Sequence, residues 1–229
     1  PKTGKVSPYG SGVKQLMAFT WMPKNRVLIA DRDSNLGIFD ILTGKLLARR
    51  RVSGSEHGNM EPRLLAVSPD GEHFATCDTH TLALFGWSQK ARILPTGGSV
   101  VAMQFAPDGT LWATTNDGRI LHWSAGGKRL GEIVAHSGSV AGFALSPNGK
   151  RIASSGADGW LKLWDAQNAK ILATVALFAG GKGTEYIVVR PNGSYTASSG
   201  ANEFARWRKP GSLLTEALRP IEVQPNSTQ

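Results

Sequence analysis

The sequence predicts an all-β propeller of about five four-stranded blades. Three observations predict it: a turn motif recurring at the length of one blade, an aromatic residue keeping step with that motif, and strand-sized apolar segments between the two. The motif reads Ser68-Pro69-Asp70-Gly71, Ala106-Pro107-Asp108-Gly109, Ser146-Pro147-Asn148-Gly149 and Arg190-Pro191-Asn192-Gly193. A degenerate copy, Trp21-Met22-Pro23-Lys24-Asn25, precedes them. The prolines step by 46, 38, 40 and 44 residues, the period of a four-stranded blade. Phe39, Phe85, Trp123, Trp164 and Trp207 follow their prolines by 16 residues, or by 17 at Trp164.

The elements of each unit follow in order. A first strand, such as Leu64–Val67, Val101–Phe105 or Val140–Leu145, runs into the turn. There proline presets φ and glycine accepts positive φ. A second strand follows, as in Val27–Ala30, His73–Thr76, Leu111–Thr114 and Arg151–Ser154. A polar turn such as Asn116-Asp117-Gly118 or Ala157-Asp158-Gly159 leads to the third strand, which carries the aromatic. A hairpin such as Thr43-Gly44-Lys45 then leads to a fourth strand, as in Leu46–Ala48, Leu130–Val134 and Ile171–Val175. Near-continuous apolar strands suit sheets packed on both faces.

Units fall at about 13–59, 60–98, 99–138, 139–183 and 184–223. Residues 1–12 form an extension or a strand completing a blade, and 224–229 form a tail. Leu213–Val223 could supply the outer strand of the last unit. No segment has the roughly 18 apolar residues that span a bilayer. A single cysteine, Cys77, rules out an intrachain disulfide and leaves the fold to its core. The expected compartment is the cytoplasm, with the periplasm as the alternative. The chain begins at Pro1 rather than Met, as a processed product or a cut from a longer polypeptide would.

The fourth unit resembles the WD-repeat family. His136-Ser137-Gly138-Ser139-Val140 is similar to its Gly-His entry loop, with Ala135 in place of the glycine. Asp158-Gly159-Trp160-Leu161-Lys162-Leu163-Trp164-Asp165 is similar to its Trp-Asp ending. The resemblance covers roughly residues 13–223. It implies a buried hydrogen-bonded tetrad of His136, Ser154 or Ser155, Asp158 and Trp164, with a scaffolding and not a catalytic role. A buried carboxylate needs such partners. Unit three keeps Asp117 and Trp123 but has Thr96-Gly97-Gly98 where the histidine would stand. The fifth unit resembles the terminal repeat of bacterial WD-repeat proteins fused to effector modules, which implies that residue 229 is near a C-terminus. The family most often has seven blades, so the chain is expected to be either a small ring or part of a larger propeller.

Candidate chemistry is sparse. Cys77 and His80 have ligand spacing, but two ligands do not make a metal site, and neither metal nor cofactor is expected. Ala179-Gly180-Gly181-Lys182-Gly183-Thr184 lacks the order of a phosphate loop and reads as a flexible connection between blades. The net charge of +9 admits a polyanion partner, although many cations sit in hairpins. Arg49-Arg50-Arg51 is a run of three on an outer strand. Trp160 stands on a turn where the family has a small polar residue, and exposed Trp and Arg are common binding anchors. Arg32, His80, Asn116 and Asn202 occupy equivalent turns and would ring the same face, beneath the long loop Ser53–Glu61. The expected function is a non-catalytic protein–protein interaction scaffold, or a regulatory propeller domain of a larger bacterial effector or signalling protein. Its partner would be a protein or another domain of the same polypeptide, with no membrane and no small-molecule substrate. The alternatives are a propeller hydrolase or lactonase, and a basic surface that binds a polyanion such as nucleic acid.

Overall fold

The computed structural model describes residues 15–55, 58–59, 61–79, 81–180, 183–201, 206–208 and 215–217. The expected extension 1–12, the tail 224–229, His80, Asn202 and Lys182 lie outside them. Among the described residues the structure is built from antiparallel strands, and no helix is long and apolar enough to cross a membrane.

Blade one is β1 (Leu16–Met22), β2 (Arg26–Asp31), β3 (Asn35–Asp40) and β4 (Leu46–Arg51), hydrogen-bonded in that order. A short hairpin, β5 (Ser53–Ser55) with β6 (Gly58–Asn59), occupies the segment expected to be an irregular loop. Blade two is β7 (Leu64–Val67), β8 (His73–Cys77), β9 (Leu82–Gly86) and β10 (Arg92–Leu94). Blade three is β11 (Val100–Phe105), β12 (Leu111–Thr115), β13 (Arg119–Trp123) and β14 (Arg129–Val134). The first strands β1, β7, β11 and β15 (Val140–Leu145) stand side by side.

The fourth sheet differs from the others. β15, β16 (Arg151–Gly156), β17 (Leu161–Asp165) and β18 (Ile171–Gly180) make the blade, and β19 (Gly183–Val189) and β20 (Tyr195–Ala197) extend it to six strands. The cause is the length of β18. Its ten residues run past the end of β17, and the stretch from Thr174 onward pairs with β19, from Thr174↔Val189 to Gly180↔Gly183. Of the segment expected to be a flexible connection between blades, Ala179 pairs with Thr184 and Gly180 with Gly183 at the end of these two strands. The first two strands of the fifth unit continue the fourth sheet instead of opening a new one. β21 (Arg206–Arg208) and β22 (Thr215–Ala217) pair with each other, so the strand expected within 213–223 pairs with the segment carrying Trp207.

Period-two alternation gives each sheet two faces, and packing repeats the same face-to-face contact. One face of blade one (Met22, Leu28, Ala30, Leu36, Ile38) meets Phe74 and Phe85 of blade two. The other face of blade two (Ala66, Ala75, Cys77, Leu82, Leu84) meets Phe105, Leu111 and Trp123 of blade three. The other face of blade three (Trp112, Ile120, Ile133) meets Leu145, Ile152 and Trp164 of blade four. The aromatic column of the sequence is thus the ridge that each of blades two to four buries against the preceding blade. Cys77 lies in the second of these cores, 1% exposed, and burial pushes its thiol up to about 12, which leaves it inert as a nucleophile.

The two ends of the blades differ. One end carries the proline turns, stacked between neighbours: a Cβ on Gly149 would lie 3.0 Å from Pro107 Cδ. Gly149 itself turns at φ 69°. The degenerate copy turns instead through Lys24 and Asn25, both at positive φ. The other end carries the turns between second and third strands and the connections from blade to blade. Arg119 in such a turn reaches Thr96 O in such a connection at 3.0 Å. This end is the connection face.

Candidate functional site

The connection face is organised by a hydrogen-bonded set in blade four. His136 precedes β15, Ser154 lies on β16, Asp158 on the turn and Trp164 on β17. Asp158 is ionised, so His136 Nδ1 must donate to it, at 2.9 Å from Oδ1. His136 Nε2 and the Ser154 hydroxyl share a second hydrogen bond of 2.8 Å. Ser154 Oγ accepts in turn from Trp164 Nε1–H at 2.9 Å. Every donor has an acceptor. Asp158 also accepts from the backbone N–H of Trp160 and of Ser137, and Lys162 Nζ stands 3.6 Å away while donating to Ala135 O at 2.6 Å. Burial pushes the Asp158 carboxyl up, but the hydrogen bonds from His136, Trp160 and Ser137 outweigh it and hold the group below the usual carboxylate value.

Of the two serines the sequence left open, the structure brings Ser154 into the set and not Ser155. The register pairs Leu145 with Ile152 and Ile152 with Trp164. Ser154, two residues from Ile152, shares the Trp164 face, and Ser155 takes the other. The histidine is seated by its neighbours: Gly118 O in blade three accepts from the N–H groups of Ala135 and His136, and a side chain on Gly156 would collide with the imidazole. His136 is 3% and Ser154 1% exposed. The Ser154 oxygen is occupied by an indole donor, so this Asp-His-Ser order does not present a nucleophile to a substrate.

Blade three solves the same problem with another residue. Arg119 takes the turn position that Trp160 takes in blade four. Its Nε donates to Asp117 Oδ2 at 2.9 Å and its Nη1 stands 3.6 Å from Glu132. Hydrogen bonding from Arg119 holds Asp117 below the usual carboxylate value. Sequence reasoning missed Arg119, although the absent histidine at Thr96 left Asp117 in need of a cation. Ala113 stands where Ser154 stands, and buried Trp123 Nε1 has no hydrogen-bond acceptor among the described residues.

The expected partner-binding residues separate into two groups. Trp160, in the turn of blade four, is 39% exposed. Asn116, in the turn of blade three, is exposed and uses its side-chain oxygen to accept from Ser99 N. Arg32, in the turn of blade one, pairs with Glu61 at 3.0 Å. Arg50, expected with Arg49 and Arg51 to meet a partner, is engaged within the chain. Its guanidinium donates to Gly86 O (2.7 Å), Trp87 O (2.5 Å) and Gln89 O (2.5 Å) and lies over the Phe85 ring. Period-two alternation points it at blade two while Arg49 and Arg51 point to the opposite side, so Arg50 staples two blades together. His80 and Asn202 lie outside the described residues.

A second feature escaped the sequence. On the proline-turn side, a cleft of about 840 Å³ between blades three and four is lined by residues including Asp108, Trp112, His122, Leu130, Lys150 and Asp165. His122 stacks on Trp112 with ring centroids 3.7 Å apart, and burial lowers its pKa against the pull of Asp108.

Comparison with known proteins agrees with this geometry. The WD domain, G-beta repeat family matches residues 89–124 and 127–165. Among relatives, a WD repeat-containing protein AAC3 from Dictyostelium discoideum is 24% identical over 68% of this chain and 34% of its own length. An uncharacterized WD repeat-containing protein, sll1491, from Synechocystis is 26% identical over 57% of this chain and 38% of its own. The telomerase protein component 1 of Mus musculus is 24% identical over 69% of this chain and 6% of its own. The chain thus spans well under half the length of each of these relatives.

Proposed function

We propose that this chain, which belongs to the WD-repeat family, works as a non-catalytic platform that holds another protein on its connection face. WD-repeat proteins generally act as interaction scaffolds. The observation that carries the reading for this chain is Trp160. The residue is 39% exposed while its backbone N–H is fixed to the Asp158 carboxylate, so a large amphipathic anchor is presented from a rigid base. Such anchors supply much of the affinity of protein interfaces because little entropy is lost on contact. Asn116 and Arg32 stand on equivalent turns of blades three and one. One relative is named as a protein component of telomerase, which is consistent with work inside an assembly.

The polyanion reading is second. Arg32, Arg50 and Arg119 are engaged with carboxylates or backbone carbonyls, which lowers the share of the +9 charge free to meet phosphates. A pull-down from cells of origin with wild type, Trp160→Ala and Arg49→Ala tests both. Loss of one captured protein with Trp160→Ala alone supports the platform. Capture of nucleic acid that is lost with Arg49→Ala and insensitive to Trp160→Ala supports the second reading and removes the first.

A further inference from the structure

On the proline-turn side, blades two and three enclose a pocket of about 250 Å³ whose walls include His73, Gly86, Lys90, Arg92 and Gly126. The register accounts for it. His73 pairs with Gly86, and Leu84 with Arg92. Leu84 packs toward blade three, and with a period of two His73, Gly86 and Arg92 share its face. Gly86 has no side chain, so a hollow opens beside His73 and Arg92. The residue after the aromatic is Asp40 in blade one, Ser124 in blade three and Asp165 in blade four. Each holds its own hairpin with a side-chain oxygen: Asp40 accepts from Thr43 N at 2.8 Å, Ser124 from Lys128 N at 3.1 Å and Asp165 from Gln167 N at 2.9 Å. Blade two lacks that oxygen, and Arg50 holds its hairpin from outside through the carbonyls of Gly86, Trp87 and Gln89. The result is a pocket with cations and, among the described residues, no carboxylate in its lining. Lys90 and Arg92 are exposed, and neither side chain has an ion-pair or hydrogen-bond partner among the described residues. Asp70 stands 3.9 Å from His73 Nδ1 but outside the lining. Across the gap, the Arg92 stem lies against the hairpin of blade three, where a Cβ on Gly127 would stand 2.6 Å from Arg92 Cδ. The N–H groups of Ala125 and Gly126 in that hairpin have no acceptor among the described residues.

We propose that this pocket binds a small phosphate monoester. A guanidinium fork and an ammonium group are the side chains that phosphate oxygens meet best. A phosphate monoester carries close to two negative charges at neutral pH and offers three acceptor oxygens. Two unpaired cations and an imidazole answer that charge, whereas a carboxylate ligand would neutralise only one of them. The volume falls below the roughly 300–1,000 Å³ of sites for drug-sized ligands, so it suits a phosphate on a carbon chain of a few atoms and not a nucleotide. The missing oxygen at Gly86 decides the preference for an anion: an aspartate there, as in blades one and four, would place a carboxylate among the same cations. The proposal is independent of Trp160, which lies on the connection face and stays free when the pocket is filled.

The test is isothermal titration calorimetry of the 229-residue chain with glycerol 3-phosphate at neutral pH and low salt. Saturable binding to one site is expected, and none of glycerol. Arg92→Gln and Lys90→Gln should each weaken it by about tenfold or more, and Gly86→Asp should remove it. The new Cβ at position 86 would meet only the flexible Gln89 side chain, at 3.1 Å and beyond, and Arg92→Gln alone decides the matter if that variant melts early. Lys170→Gln, an exposed cation on the corresponding hairpin of blade four, should leave affinity within about twofold. Absence of saturable binding overturns the proposal. So does an equal loss with Lys170→Gln, which makes the attraction one of net charge. So does inorganic sulfate binding as tightly as glycerol 3-phosphate, which makes the pocket a site for any anion. So does binding of a phosphoserine peptide but not of glycerol 3-phosphate, which assigns the pocket to a phosphorylated protein.

Discussion

Replacing Ser154 by alanine removes one hydroxyl and leaves two buried groups unpaired. Trp164 Nε1 loses its acceptor at 2.9 Å and His136 Nε2 loses its partner at 2.8 Å. Trp164 and His136 are 7% and 3% exposed, so solvent reaches neither without local opening. Each buried polar group left unpaired costs about 1–3 kcal/mol. The fold already tolerates such groups, Trp123 Nε1 opposite Ala113 among them, which favours the lower half of that range. The expected loss is therefore about 2–4 kcal/mol for the two groups together. With a urea dependence of about 2–3 kcal/mol per molar, the unfolding midpoint should fall by roughly 1 M. The control is Ser155→Ala, one residue away on the opposite face, expected within about 0.5 kcal/mol of wild type. Urea titration followed by far-ultraviolet circular dichroism measures both. Because blades can unfold separately, amide hydrogen exchange in β15–β17 should show where the loss falls. Equal shifts for the two variants would refute the hydrogen-bond relay.

Other expectations follow from the same contacts. Arg50→Ala should destabilise by about 1–3 kcal/mol, since three carbonyls lose a charged donor, whereas Arg49→Ala should stay within about 0.5 kcal/mol; urea midpoints of the two variants separate the roles. Gly118→Ala should cost at least about 2 kcal/mol, because the residue sits at φ 88° and a Cβ would strike the His136 carbonyl; a melting temperature equal to wild type would contradict it. Asp158 and Asp117 are held below the ordinary carboxylate value of 3.8. Their contribution is therefore present above that value and is lost as pH falls through the depressed folded values. Stability measured from pH 6 downward should drop in the acid limb below about pH 4, and Asp158→Asn should flatten that limb. An unchanged limb would remove Asp158 as a contributor.

Much of the architecture was legible because turn chemistry and side-chain alternation are local. Pro107-Asp108-Gly109 closes a hairpin wherever it sits, and Trp123 one strand later marks the face to be buried. The ambiguity between Ser154 and Ser155 has a physical origin. The turn after Asn148 contains one residue more than the turn after Asp108, and with a period of two a single residue exchanges the faces. The 17-residue spacing to Trp164 carried that information, but only the pairing Ile152↔Trp164 decides it. Arg50 was not legible because its partners lie on a turn of the next blade, 36 to 39 positions on. The merging of the fifth unit into the fourth sheet depends on β18 continuing through Ala176–Gly180, where an apolar run suits a strand end and a connection alike. Arg119 shows the converse: the polar demand of Asp117 was visible, and its answer came from an unexpected position.

The most direct test of the platform reading is site-specific photocrosslinking in cells of origin. A benzophenone amino acid replaces Trp160 on the connection face in one variant, and Leu130, 49% exposed at the edge of the opposite cleft, in the other. A discrete protein adduct is expected from position 160 and none from position 130. Adducts from position 130 alone would move the working surface to the cleft and contradict the role given to the connection face.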